Sequence, residues 1–186
     1  MVAPDPEWLE QRRRLDQDRL DEVWDGVLHM VPFASSKHQE REFELASVLR
    51  PLALVRGWRM LCNYGVQDPA TTGYTNFRVP DVVVFDPKYL SERGIEGRAE
   101  IVVELLSPRD ESREKLPFYA KCQVQEVWLL HPITRAIEVF VLRGGTYFPV
   151  VTNEAGEILA PALGLELRVV AGPKLRIAWA DGSAEI

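Results

Sequence analysis

Val79-Pro80-Asp81-Val82-Val83-Val84-Phe85 and Ile101-Val102-Val103-Glu104-Leu105-Leu106 decide how this chain is read. Each is an apolar run that reads as a buried β-strand, and each is interrupted by one acid. A bare carboxylate in a sheet core costs on the order of several kcal/mol unless it is paired, protonated or bound to a cation. Pro80 lacks the N–H that a ladder needs, so the strand begins or bends there. That places Asp81 at a strand start, near a sheet edge or cleft. If the two strands are neighbours, the two carboxylates converge. Hard oxygen donors of this kind suit Mg²⁺ or Mn²⁺. The plainer alternative for both acids is a buried salt bridge or a strand-end cap.

Working outward, Lys115 follows the second run in a segment, Ser107 to Cys122, that reads as helical although Pro117 disturbs it. Its ammonium could stabilise charge beside the two acids. The bland reading is an exposed ion pair with Glu111, one helical turn earlier. Before the first run, Ser36-Lys37-His38-Gln39 fits a capping box and opens a helix to about Val55, with a kink expected at Pro51. His38 in its first turn is either a surface histidine or a metal ligand or proton carrier facing a cleft. Asp25-Gly26 signals a turn, with Val27 to Val31 as a first strand, and Glu22 before it reads as a solvated helix residue. Ser107 with Pro108 reads as a turn or N-cap.

Further strands are expected over residues 58–66, 77–85, 100–106, 126–130, 137–142 and 147–152. The last two join through a turn at Gly144-Gly145. Residues 163–179 read as short strands or irregular cover. The order predicts a mixed α/β fold with one central sheet and helices against it. With 186 residues the expectation is a single domain over 1–186. It divides into an N-terminal helix at about 6–22, a core at about 22–152 and a C-terminal cover at 153–186.

A composition of 46% hydrophobic and 27% charged residues is that of an ordinary globular protein. The net charge of −6 argues against a whole-surface grip on nucleic acid, though Arg12, Arg13, Arg14, Lys37 and Arg41 cluster in sequence. Cys62 and Cys122 form no CxxC pair, which excludes a zinc knuckle or a paired-cysteine redox motif. The charged N-terminal stretch has no apolar h-region, and no run approaches the roughly 20 apolar residues of a membrane span. A cytoplasmic location without membrane contact is expected.

Several of these residues occur in an order that resembles a known family. Glu22-Val23-Trp24-Asp25-Gly26-Val27-Leu28 is similar to its E-x-x-D-G-x-L opening, and His38 to its helical histidine. Val79 to Val84 resembles its V-P-D strand, and Val102 to Pro108 its h-h-E-h-h-S-P motif, h being apolar. Glu114-Lys115 with Tyr119-Ala120, and Glu126-Val127-Trp128-Leu129-Leu130, resemble two more. The family is the Uma-two type of restriction endonuclease, a branch of the PD-(D/E)XK superfamily.

The resemblance implies a restriction-endonuclease-like α/β core, with a central mixed sheet flanked by helices. It also implies Mg²⁺-dependent hydrolysis of phosphodiester bonds in DNA, in many relatives by homodimers. By that likeness Asp81, Glu104 and the carbonyl of Leu105 hold the metal. Lys115 replaces the usual lysine two residues after the glutamate, where Leu106 stands. Glu22 is implied as a helical acid and His38 as a supporting site residue. Departures are Glu111 for the usual Asp, His131 before Pro132, and Gln123-Val124-Gln125 for a frequent Gly-Val-Pro turn. Two other readings stay open: a catalytically inactive binding protein on the same fold, and a metal-dependent phosphohydrolase acting on small phosphoesters.

Overall fold

A computed structural model describes residues 6–16, 18–31, 34–107 and 111–186. The chain opens with α1 (Pro6–Arg14), then β1 (Glu22–Trp24), β2 (Val27–His29) and α2 (Ser36–Val55). β3 (Arg59–Cys62), β4 (Val66–Gln67), β5 (Phe77–Arg78), β6 (Val82–Phe85), β7 (Ile95–Glu96) and β8 (Ala99–Leu105) follow. A 3-10 turn over Ser112–Lys115 leads into α3 (Leu116–Lys121). The remainder is β9 (Val124–Leu130), β10 (Ile137–Arg143), β11 (Thr146–Pro149), β12 (Ile158–Ala160), β13 (Leu165–Val170), β14 (Lys174–Trp179) and β15 (Gly182–Glu185).

The central sheet has six strands in the order β11-β10-β9-β8-β6-β3. It is mixed: β8 and β9 run parallel, and the other neighbours are antiparallel. Parallel neighbours need a crossover, and α3 supplies it. α2 covers one face, where Leu45, Leu49 and Ala53 pack on Val82, Val84, Ile101, Val103 and Trp128. The same apolar cluster takes in Leu165, Leu167, Leu175 and Ile177 of a four-stranded sheet, β12-β13-β14-β15. The other face carries α3, through Phe118, Tyr119 and Cys122 against Val83, Phe85, Val102 and Val127. A third group of short strands, β2-β1-β5-β4-β7, sits beside it.

The expected single sheet is therefore three among the described residues. The expected strand over 58–66 splits between two of them, with Asn63 at φ 52 as the break. The strand over 77–85 splits at Pro80, because proline cannot extend the ladder, and Asp81 lies in the gap. The C-terminal cover is a regular antiparallel sheet: Leu165 and Leu167 are buried, and Glu166 between them is exposed.

The N-terminal helix stops at Arg14, short of residue 22, because the chain turns at Leu15 and Asp16, the latter at φ 53. Glu22 is then a strand residue. It opens a hairpin in which Asp25 (φ 47) and Gly26 (φ 85) form the two-residue turn. α2 is capped by Ser35, whose side chain accepts from the His38 N–H, one residue before the serine expected to cap it, and it runs on through Pro51 to Val55. The long helix expected over residues 107–122 is only the 3-10 turn and α3, with Pro117 in the first turn of α3. Pro108 of the expected Ser-Pro turn lies outside the described residues.

Candidate active site

Strand register brings the two interrupting acids together. β6 and β8 pair with Val82 opposite Val103, so one further step sets Asp81 opposite Glu104. Asp81 Oδ2 accepts from the N–H of Leu105, the residue after Glu104, at 2.6 Å. Glu104 shares its side of β8 with Val102 and so faces α3, where the Tyr119 hydroxyl donates to Glu104 Oε1.

Lys115 enters at the end of the 3-10 turn, above the C-terminal end of β8. Its Nζ lies 3.0 Å from Glu104 Oε2 and 2.9 Å from Glu22 Oε1. The expected pairing with Glu111 is not formed; Glu111 lies 3.4 Å from His29 instead. The long helix that would have set Glu111 one turn before Lys115 does not exist here. The structure thus brings the acid of β1 and the acid of β8 onto one lysine. Glu22, implied to be helical, reaches that lysine from a strand. It is fixed by the Val79 N–H at 2.8 Å and by Trp24 Nε1 at 2.7 Å. The Trp24 ring is itself held, stacked on His29 at 4.1 Å and under the Arg78 guanidinium at 4.4 Å.

His38 joins from α2, with Nε2 2.7 Å from Asp81 Oδ1. One helical turn on, Glu42 accepts from Asn63 Nδ2 at 2.7 Å. Glu22, His38, Asp81, Glu104, Leu105 and Lys115 all line one cavity of about 710 Å³. Every site residue expected from the sequence is therefore in one place. Sequence reading gave no site role to Glu42 or Asn63, nor to Trp24 and Tyr119, although the last two stand in the motifs quoted above. The four-residue spacing from His38 could have flagged Glu42, and the indole two residues from Glu22 lies on the same strand face.

The electrostatics are those of an acid-rich pocket with one fixed cation. Burial lifts Glu104 to about 7, against the attraction of Lys115 and with help from the charges of Asp81 and Glu22. Glu104 and Glu22 raise Lys115 far enough to outweigh its own burial, so the lysine stays an ammonium at neutral pH. The hydrogen bond that His38 donates to Asp81 raises the histidine. Burial, followed by the neighbouring carboxylates, pushes Tyr119 well above its ordinary value, so it remains a donor.

A mixed sheet with a helix on each face and an acid-lined cavity at one end places the molecule in the class of restriction-endonuclease-like α/β proteins. Residues 7–172 match the model of the Uma2 family, described as "Putative restriction endonuclease", and the chain belongs to that family. Its fold is similar to the crystal structure of "a putative nuclease belonging to DUF820" from Anabaena variabilis ATCC 29413. That similarity has a TM-score of 0.59 at 22% identity and covers 77% of this chain and 83% of that one. No functionally curated protein matches the chain. No helix among the described residues is long and apolar enough to cross a membrane.

Proposed function

We propose that this chain is a divalent-metal-dependent endonuclease that hydrolyses phosphodiester bonds of DNA, with Mg²⁺ or Mn²⁺ held by Asp81, Glu104 and the carbonyl of Leu105. The observation that carries the reading is the convergence of Asp81, Glu104 and Lys115 on one cavity. The donor set fits a hard divalent ion. Three carboxylates (Glu22, Asp81, Glu104) face one lysine and one histidine, and burial, helped by the charges of Asp81 and Glu22, raises Glu104 to about 7. A cation there would replace the Glu104 proton.

When bound, the ion would supply Lewis-acid polarisation of the scissile phosphate and of the attacking water. Everything else falls to the protein. Lys115, locked as an ammonium, cannot act as a base; its role is to stabilise the charge that develops on the phosphate. Glu22 aims the lysine and is anchored by Trp24 and the Val79 N–H. Tyr119 orients Glu104, and the Leu105 N–H orients Asp81. Ser35 and His38, at the N-terminal end of α2, also line the cavity, where the positive end of the helix favours an anionic substrate. With a net charge of −6, few cations remain to track a nucleic-acid backbone, and a homodimer would double those at the cleft. A cytoplasmic setting suits the substrate.

The test is cleavage of plasmid DNA with Mg²⁺ or Mn²⁺ by wild type and Asp81→Ala, with single-stranded DNA, RNA and a small phosphodiester in parallel. Metal-dependent DNA cleavage that Asp81→Ala abolishes is the expected result. Hydrolysis of the small ester alone would replace this reading with a phosphohydrolase. DNA binding without turnover on any substrate would replace it with an inactive relative.

A further inference from the structure

The nuclease reading leaves one pair of cavity groups without a task. Asp81 and Glu104 are assigned to the ion, Glu22 and Lys115 hold each other at 2.9 Å, and His38 is tied to Asp81. His29 and Glu111 line the same cavity. Among the described residues, no hydrogen bond or ion pair joins either of them to those five.

The β1–β2 hairpin decides where His29 stands. Its register sets His29 opposite Glu22, and opposite residues of an antiparallel pair share a face. His29 therefore lies on the cavity side of the hairpin with Glu22, whose carboxylate is on Lys115. The imidazole is held in two directions. Its face stacks on Trp24, with ring centroids 4.1 Å apart and the planes within 13° of parallel. Its Nδ1 lies 3.4 Å from Glu111 Oε2. A carboxylate at Nδ1 fixes which nitrogen is left to exchange a proton with a ligand. That nitrogen is Nε2, which has no protein partner among the described residues. The side chain keeps 29% exposure, so solvent can return a proton to it.

Hydrolysis of a phosphodiester expels an alkoxide, which leaves poorly until it is protonated. Lys115, held as an ammonium by Glu22 and Glu104, keeps its proton too tightly for that task. We propose that His29 is the general acid of the reaction, giving the Nε2 proton to the leaving oxygen, with Glu111 as the residue that positions the ring. In this step the oxygen of a water bonds to phosphorus, the bond from phosphorus to the leaving oxygen breaks, and that oxygen takes the proton from Nε2. The water's own proton passes to solvent, and solvent returns one to His29. The inference rests on the nuclease reading and adds to it the group that completes bond breakage.

The experiment compares cleavage by wild type, His29→Gln and Glu111→Gln on an ordinary DNA oligonucleotide and on two with one bridging oxygen at the scissile phosphate replaced by sulfur. The sulfur is on the 3′ side in one and on the 5′ side in the other, so one of them carries it at the leaving position whichever bond breaks. The end that keeps the phosphate in the wild-type product identifies which. A thiolate leaves without a proton, so it has no need of a general acid. On ordinary DNA, His29→Gln should lower kcat by about 10²-fold or more and Glu111→Gln by about tenfold, with KM changed by no more than about twofold. With sulfur at the leaving position both losses should shrink to about threefold or less. Glutamine keeps the side-chain bulk at these partly exposed sites, and a circular dichroism spectrum confirms the fold. A loss of equal size on oxygen and sulfur, or no loss on either, would overturn the proposal while wild-type cleavage stands. A wild type that cleaves none of these substrates would overturn the nuclease reading and this proposal with it.

Discussion

Glu104 and Glu126 stand on neighbouring parallel strands of one sheet, and both are buried, at 4% and 1% exposure. Burial raises both to about 7. They point to opposite faces. Glu104 looks toward α3 and the cavity, among Lys115, Tyr119 and the charges of Asp81 and Glu22. Glu126 looks toward the C-terminal sheet, where, among the described residues, it accepts only from neutral donors, Trp128 Nε1 and the Ala162 N–H. One acid is part of a charged cluster open to a cavity. The other pins a loop of the covering sheet to the core. A raised pKa in a strand therefore marks burial. What marks chemistry is burial together with a cavity and charged neighbours.

The largest effect that would break this contrast is on turnover. Glu104→Gln and Asp81→Ala should each lower metal-dependent DNA cleavage by on the order of 10³-fold or more, while Glu126→Gln should change it only a few-fold. Equal losses at Glu104 and Glu126, in initial rates of plasmid nicking, would erase the distinction. Next comes Lys115→Met, which leaves Glu22 and Glu104 buried around a missing cation. Urea denaturation at pH 8 should show a loss of about 3–5 kcal/mol, and a change well below 1 kcal/mol would mean the pair is not sealed from water.

The third expectation concerns pH. A carboxyl at about 7 in the fold and 4.5 when unfolded holds its proton more tightly when folded. Its stabilising contribution is full below about pH 4.5 and is lost as pH rises through 7, by up to about 3 kcal/mol per group. The urea midpoint should therefore fall between pH 5 and pH 8, and fall less in Glu126→Gln. Mg²⁺ should recover the Glu104 share at pH 8 and leave the Glu126 share untouched. A pH-independent midpoint in wild type would remove the electrostatic basis of the comparison. A smaller effect is expected at Trp24, whose indole holds Glu22 from the cavity side. Trp24→Phe should slow cleavage about tenfold with little change in metal affinity. The smallest is Gln123→Gly: Gln123 holds φ 54, where a glycine relieves up to about 1 kcal/mol of strain, read as a slightly higher Tm.

Much of the centre was legible because its signals are local. Pro80 announces the strand break that frees Asp81, the acid inside Ile101 to Leu106 announces Glu104, and the serine-rich start of α2 places His38. What was not legible depends on contacts distant in sequence. Glu22 lies 93 positions from Lys115, and only the fold of the β1–β2 hairpin brings it there. Glu126 shows the same pattern as Glu104, an acid against an apolar run, and nothing local says which face it takes or that Ala162 will cover it. The four-stranded C-terminal sheet was underread for a different reason. Its strands alternate Leu165, Glu166, Leu167 and Arg168 with the period of a half-buried strand, a pattern open to inspection. The shortened helix before α3 followed from Pro117, which the sequence displayed, but its consequence for the Glu111–Lys115 pair needed coordinates.

The central proposal is that Asp81 and Glu104 together hold a divalent cation, and Mg²⁺ titration calorimetry reads this without any substrate. Wild type and Glu126→Gln should bind Mg²⁺ with similar affinity, and Asp81→Ala and Glu104→Gln should show no binding heat. Identical Mg²⁺ binding in all four proteins, or none in wild type, would contradict the account.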